Sequence, residues 1–241
     1  MRLGVADVTD AADATDSVVG VTNSVANFPK AAKVGTHMNP GLENIASLRP
    51  TLIIAGTRFN PEFAKRMGAE FFLYDPKTLD DIIGTVRTLG QKIGKGEQGE
   101  KLAAELQAVL DGLHPPRHSL SVLYETRSTP LSLAKSNSIV RDMLERAGMR
   151  YLYDGTAGLV SMEYLIRKQP DVYIYQQGPM NRNPVPPLRR PGWNRFTACI
   201  WKVDEFDFAR PNTRLFETVQ TLNTILNQDD VCAAGMELYP E

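Results

Sequence analysis

The sequence predicts an α/β protein: two Rossmann-like α/β lobes with mainly parallel sheets, joined by a long interdomain helix. Three observations point there. A stretch from Gly35 to Thr57 (GTHMNPGLENIASLRPTLIIAGT) returns from Gly155 to Gln177 (GTAGLVSMEYLIRKQPDVYIYQQ) at a constant offset of 120 positions, pairing Gly35 with Gly155, Thr36 with Thr156, Glu43 with Glu163 and Pro50 with Pro170. Each copy ends in a short apolar run, Leu52-Ile53-Ile54 and Val172-Tyr173-Ile174, of the kind that parallel strands buried on both faces require. Between the copies lies a stretch at helical period, with no flexible linker.

Taken in order, residues 1–17 are rich in Asp and Ala and carry no clear pattern. Val18 to Thr22 reads as a first strand, with Asn23 and Ser24 at its carboxyl end. In the first repeat copy, Gly35 suits a turn or a close backbone approach. Leu42, Ile45 and Ala46 then share a helix face, and Pro50 stops that helix, because the residue before a proline is pushed out of the α region. The strand Leu52 to Ala55 leads to the loop Gly56 to Asn60. Pro61 opens a helix that Gly68 closes, and Phe71 to Leu73 is a strand.

Thr78 can cap a helix with Leu79, Ile82, Ile83, Val86, Leu89 and Ile93 inward. The glycines of residues 94–99 loosen the chain before a second amphipathic helix through Leu102, Leu106, Val109, Leu110 and Leu113. Leu120 to Tyr124 begins the second lobe, and Ser136 or Ser138 caps a helix ended by Gly148. After the second repeat copy, residues 176–195 hold five prolines and four arginines around Trp193, too much proline for regular structure. Ala198 to Val203 is a strand, Thr213 to Leu226 a helix, and the tail from Asn227 reads as frayed. The domain boundaries expected are therefore 1–96 for the first lobe, 97–114 for the connecting helix, 115–226 for the second lobe and 227–241 for the tail.

Composition narrows the function. With 42% hydrophobic and 23% charged residues and a net charge of -1, this is an ordinary globular chain without the basic excess that nucleic-acid binding needs. No apolar run approaches the ~18 residues that span a bilayer. A secretory signal is not visible, which bears little on location because such segments are removed from mature proteins. Cys199 and Cys232 have no metal-ligand spacing; they either pair in an oxidising compartment or stand as a small buried residue and a tail thiol. Phosphate-loop, dinucleotide, nucleophile-elbow and HExxH motifs are all missing, and the three histidines are scattered. What remains is a set of loops at the carboxyl ends of strands, where open α/β sheets bind ligands. They are rich in amide, aromatic and arginine side chains, suited to a bulky ligand with anionic groups, and the expectation is that they line one cleft.

The run VVGVTNSVANFPKAAKVGTHMNPGLENIASLRPTLIIAG, with NPEFAKRMGAEFFLYDPKTLDDIIGTVRTLGQKIG, SMEYLIRKQPDVYIY and the closing WKVDEFDFARPNTRLFETVQTLNTIL, resembles the class III (cluster A) periplasmic solute-binding proteins of ABC importers over about Val18 to Leu226. That group includes carriers of cobalamin, haem and ferric siderophores. The resemblance implies a non-enzymatic, monomeric, extracytoplasmic protein, periplasmic or a cell-surface lipoprotein, that captures a metal chelate and delivers it to a membrane permease, with no catalytic cofactor. A cytoplasmic chelatase-like or metal-cofactor-handling enzyme on the same fold is the alternative, to which a true start at Met1 would point.

By position, the resemblance directs His37 and Met38 towards the ligand, and Phe28, in the loop beyond the first strand, is a further candidate contact. Phe59, Tyr175 and Trp193 are expected to stack on it, Asn23 and Gln176 to make polar contacts, and Arg58, Arg127 and Arg195 to grip anionic groups. His37 can ligate a metal as a neutral imidazole, or act as a hydrogen-bonding or packing histidine. Glu62 matches the surface glutamate that docks on the permease, or is a carboxylate favoured by a helix N-terminus. Two departures stand out. The family's first strand and helix have almost no room before Val18, and the loop after Tyr175 offers arginines where the resemblance expects a second acidic docking helix.

Overall fold

The computed structural model describes residues 17–236 except 26, 27, 37 and 196, together with 238 and 239. The chain separates into two compact units, one made of residues 1–76, 80–107 and 211–213, the other of residues 77–79, 108–210 and 214–241.

The first unit contains two parallel strand pairs. In one, β1 (Gly20–Val21) pairs with β2 (Ala32–Lys33); in the other, β3 (Leu52–Ala55) pairs with β4 (Glu70–Leu73) in the register Leu52 to Glu70. The first strand is shorter than the apolar run Val18 to Thr22 suggests. Helix α1 (Leu42–Ser47) precedes β3, and α2 (Pro61–Arg66) connects β3 to β4. As expected, Pro61 stands in the first turn of α2, where its missing N–H costs nothing; Asn60 caps it by accepting a hydrogen bond from the Glu62 amide at 3.0 Å. Two helices follow, α3 (Leu79–Lys92) and α4 (Gly96–Asp111), so the glycine-rich stretch breaks the chain for only three residues and Gly96 to Gly99 are already helical. Helix α4 runs through the division between the units, belonging to the first as far as Gln107 and to the second from Ala108.

The second unit is built on a five-stranded sheet. Its centre is β5 (Ser121–Ser128) beside β8 (Val172–Gln177), with β9 (Cys199–Asp204) beyond β8; all three are parallel. On the other edge of β5, β7 (Arg150–Tyr151) pairs in parallel with its start, while β6 (Leu131–Leu133) folds back antiparallel on its end. Both β6 and β7 are too short and too polar to announce themselves by alternation. The buried side chains Val122, Leu123, Tyr124, Val172, Tyr173, Ile174, Trp201 and Val203 run as continuous stretches, as a sheet covered on both faces demands. Helix α5 (Ile139–Ala147) is capped by Ser138, whose hydroxyl accepts from the Arg141 amide, and ends at Gly148 in the left-handed region. Helices α6 (Met162–Lys168), α7 (Glu205–Phe208) and α8 (Arg214–Ile225) complete the unit with α9 (Val231–Met236). Asn223 of α8 closes one end of it, accepting from the His114 amide and donating to the carbonyls of His114 and Ala147.

The tail corrects the sequence reading. It is not frayed through the described residues: α9 is joined to β9 by the Cys199–Cys232 disulfide, with Cα atoms 5.5 Å apart. Gly235 lies against the indole of buried Trp201. The sequence of the helix, VCAAGM, is six small or apolar residues with no polar face, so it carries no helical periodicity.

The repeat has a geometric counterpart. Arg49 (φ 47°) and Gln169 (φ 41°), 120 positions apart and each just before a proline, are the only non-glycine residues with positive φ among the described residues. Each proline does stop its helix, and in both copies the residue before it is left-handed. That conformation costs a non-glycine residue about 1–2 kcal/mol, yet both copies keep it.

Candidate functional site

In the first unit the loops that follow β1, β2 and β3 adjoin at the carboxyl ends of the strands. The Asn23 amide donates to the Gly35 carbonyl at 2.8 Å, and the Gly35 amide donates back to the Asn23 side-chain oxygen at 3.2 Å. Gly35 has φ 99°, and a Cβ there would meet the Asn39 carbonyl at 2.7 Å, so the turn that carries residues 36–40 requires glycine. Asn23 thus uses its side-chain oxygen to join two loops, although the residue itself is exposed. Met38 is 60% exposed, and the Arg58 guanidinium donates to its sulfur at 2.9 Å, so these two predicted contacts do come together. His37 lies outside the described residues.

Two aromatic candidates are used internally. Phe28 is buried against Val25 and Ala31. Phe59 is half-buried, stacked on Phe71 at 5.7 Å between ring centroids and edge-on to Phe63 at 6.3 Å. Glu62 is exposed at the N-terminus of α2.

In the second unit the proline- and arginine-rich segment is the connection between two parallel strands. It must travel from the carboxyl end of β8 back to the amino end of β9, a path that usually takes a helix. Here, among the described residues, it holds only two 3-10 turns, Pro187–Arg189 and Trp193–Arg195. In place of a helix, Trp193 packs edge-on against Tyr173 at 4.8 Å, buried to 3%. The Arg190 guanidinium lies 5.3 Å above the Trp193 ring and donates to both oxygens of Glu125, at 2.5 and 2.9 Å. Glu125 is fully buried and also accepts from the Tyr173 hydroxyl at 2.7 Å. Burial pushes the Tyr173 phenol well above its ordinary range, and the Glu125 carboxylate adds to the shift.

The start of the connection is held by a second buried carboxylate. Glu205 of α7 accepts from the Met180 amide at 2.6 Å and pairs with Arg210. Asn181 donates to the Gln176 carbonyl at 2.9 Å and accepts from the Ser128 hydroxyl at 3.1 Å. Gln176 itself is fully buried, accepting from the Tyr124 hydroxyl at 3.0 Å and donating to the Thr126 carbonyl at 3.1 Å. The Tyr124 phenol is raised by burial and next by Glu205.

The predicted contacts of this unit therefore separate by place. Arg127 is exposed at the end of β5. Tyr175, Gln176 and Trp193 are buried, and the polar atoms of Gln176 are satisfied by the unit itself. Arg195 is exposed, but its carbonyl accepts from the side chain of Gln169, the residue three positions before β8 begins at Val172. That contact puts Arg195 at the amino end of the strands, opposite Arg127. Residues not anticipated stand at the carboxyl end instead: Met180 and Val185 are 54% and 50% exposed, next to exposed Arg182, and Leu159 is 60% exposed on the loop bridged to Ser132 of β6; Leu188, 69% exposed, and Arg189 belong to the first 3-10 turn. The arginines of the segment stand out in the sequence by number, whereas its outward apolar residues are spaced singly among prolines and show no pattern. Among the described residues no group of three or more His, Cys, Asp or Glu side chains could hold a metal ion, and no helix is long and apolar enough to cross a membrane.

Comparison with known proteins agrees with this architecture. A vitamin B12-binding protein of Vibrio parahaemolyticus is 24% identical over 248 residues, covering 94% of this chain and 84% of that protein. The S. aureus protein IsdE, solved in complex with heme, superposes with a TM-score of 0.78 at 18% identity, covering 95% of this chain and 97% of that one. The periplasmic vitamin B12-binding protein BtuF of Vibrio cholerae does so with a TM-score of 0.72 at 21% identity, covering 94% of each chain. These relatives are binding proteins and favour that reading over the chelatase-like alternative. Residues 2–200 match the family described as periplasmic binding protein, and with most of its length inside that match the chain belongs to the periplasmic binding protein family.

Proposed function

We propose that this protein captures a bulky metal chelate outside the cytoplasm, a ferric siderophore, haem or corrinoid, and delivers it to an ABC importer. The observation that carries the reading is the chemistry of the strand-end faces in a member of this family. In the first unit Met38 stands exposed against Arg58. In the second, Met180 and Val185 stand exposed with Arg182 in the loop after β8, and Arg127 is exposed at the end of β5. Apolar side chains, including methionines that adapt to irregular shapes, suit a large organic framework, while arginines suit carboxylates on its rim. Among the three ligand classes this chemistry favours one with free anionic groups, such as haem, over an amidated corrinoid. Glu62, exposed at the start of α2, is the candidate contact to the permease. The Cys199–Cys232 disulfide supports an oxidising, extracytoplasmic location.

Thermal denaturation with haemin, cyanocobalamin and a panel of ferric siderophores tests this. A ligand at 100 times its dissociation constant should stabilise the fold by about 2.7 kcal/mol. Absence of any shift across the whole panel, with unchanged tryptophan fluorescence, would overturn the proposal.

A further inference from the structure

The connection between β8 and β9 has two halves with different environments. Residues from Pro187 to Arg195 lie on the sheet in the manner of a crossover: Pro187 and Trp193 are buried, and Trp193 meets Tyr173. Residues 180–186 stay at the carboxyl end of the strands, where the Asn181 side chain is bound to Ser128 of β5 and Met180 and Val185 are exposed. One side chain joins the halves. From the crossover half, Arg190 grips buried Glu125 of β5 with both terminal nitrogens, lies over Trp193, and donates through Nε to the Val185 carbonyl at 2.7 Å in the exposed half.

Glu125 and Tyr173 project from the same face of the sheet, because Leu123 is in register with Tyr173 and side chains two apart share a face. Arg190 is therefore fixed by two strands at once, through Glu125 directly and through Tyr173 by way of Glu125 and Trp193. Burying a carboxylate and a guanidinium is a poor way to gain stability, but breaking such a pair leaves an uncompensated buried charge, so the arrangement that keeps it intact is favoured over those that break it. A segment with no helix of its own needs such a device if its exposed half is to keep a fixed shape.

We propose that Arg190 is the positioning residue of the ligand-facing loop: it touches no ligand, and through the Glu125 grip and the Val185 carbonyl it sets the shape in which Met180, Arg182 and Val185 are presented. This rests on the reading of that loop as a ligand face, and it adds that affinity depends on a side chain turned inward. Holding a loop in its bound shape beforehand lowers the ordering cost of binding.

The test uses the full chain and three variants, Arg190→Met, Arg190→Lys and the charge-balanced Glu125→Gln/Arg190→Met. Hydrogen exchange is followed in the peptide covering residues 178–186, alongside haemin affinity and the thermal midpoint. The proposal expects exchange in that peptide to quicken and haemin affinity to fall about tenfold in both Met variants. Arg190→Lys, which keeps the charge but cannot hold Glu125 and Val185 together, should lie between them and the native protein. The balanced double variant should regain thermal stability without regaining affinity. Unchanged exchange in Arg190→Met, or affinity that recovers in step with the midpoint in the double variant, overturns the proposal. Should the native protein bind neither haemin, cyanocobalamin nor siderophores, the ligand-face reading fails, and the exchange measurement alone decides whether Arg190 positions the loop.

Discussion

Gly235 of α9 lies so close to the indole of Trp201 in β9 that a Cβ at residue 235 would come within 1.9 Å of the ring. Trp201 is fully buried, so this contact and the Cys199–Cys232 bond make the C-terminal helix a cover for the last strand of the sheet. Gly235→Ala should lower stability by about 1–3 kcal/mol, the usual cost of forcing an extra carbon into a packed core. Urea unfolding of the variant, with an unchanged denaturant slope, checks this; a stability equal to that of the native protein would show that α9 does not rest on Trp201.

The disulfide closes a separation of 33 residues, for which the chain-entropy estimate is about 3–4 kcal/mol. Cys199→Ser/Cys232→Ser should lose an amount of that order. Reducing the native protein should give the same loss, and further reduction of the double variant should change nothing.

Glu125 sits at zero exposure with Arg190 as its charge partner. Arg190→Met alone should therefore cost about 3–5 kcal/mol by leaving a buried carboxylate uncompensated, whereas Glu125→Gln/Arg190→Met should cost markedly less. A double-mutant cycle on thermal or chemical unfolding measures the coupling, and strict additivity would contradict the pairing.

Stability should fall at both ends of the pH scale for identifiable reasons. Asp171 has its carboxyl held below the usual 3.8, first by the Ser121 hydroxyl at 2.6 Å and next by the Ser121 amide at 2.7 Å. A depressed folded value contributes stability above the unfolded one, and the contribution is lost as pH falls through the folded value. Ser121→Ala should accordingly shift acid unfolding of the second unit to higher pH. Tyr124 and Tyr173 are raised well above 10.0, so their contribution is complete below about pH 10 and is lost as pH rises beyond it. Phenolate absorbance should show them ionising only as the unit unfolds; early, reversible ionisation of all eight tyrosines would contradict their burial.

Arg182 is exposed in the loop that follows β8. Arg182→Ala should weaken haemin binding about tenfold or less, with the difference shrinking at high salt, because screening mutes contacts between exposed charges. Titration at low and high ionic strength checks it, with cyanocobalamin as the ligand expected to be indifferent to the change.

The sequence was most legible where one physical rule dominated. The apolar runs that became β3, β5, β8 and β9, the Pro61 and Ser138 helix starts and the Gly148 stop are all local signals. Strands β6 and β7 were hidden because they are completed by pairing with β5 and have two or three residues each. Helix α9 was hidden because a covalent bond and a glycine contact hold it, neither of which has a periodicity. Among the site residues, Met38 and Arg58 touch each other because the loops after β2 and β3 adjoin, a contact that no local pattern announces. Gln176 and Trp193 show the limit of composition: polar and aromatic residues in a loop look like ligand contacts, and only tertiary contacts reveal that Tyr124 and Thr126 already occupy Gln176 and that Tyr173 meets Trp193.

The missing crossover helix has a consequence for how this protein can diversify. A helix on the sheet would tie every third or fourth residue to packing, so a change of length would rotate all that follow. Here the connection is pinned at a few points, chiefly Met180, Asn181, Arg190 and Trp193. Residues 182–184 can exchange side chains between those pins while the strands beneath remain undisturbed, so the outward surface of the connection can vary without renegotiating the fold.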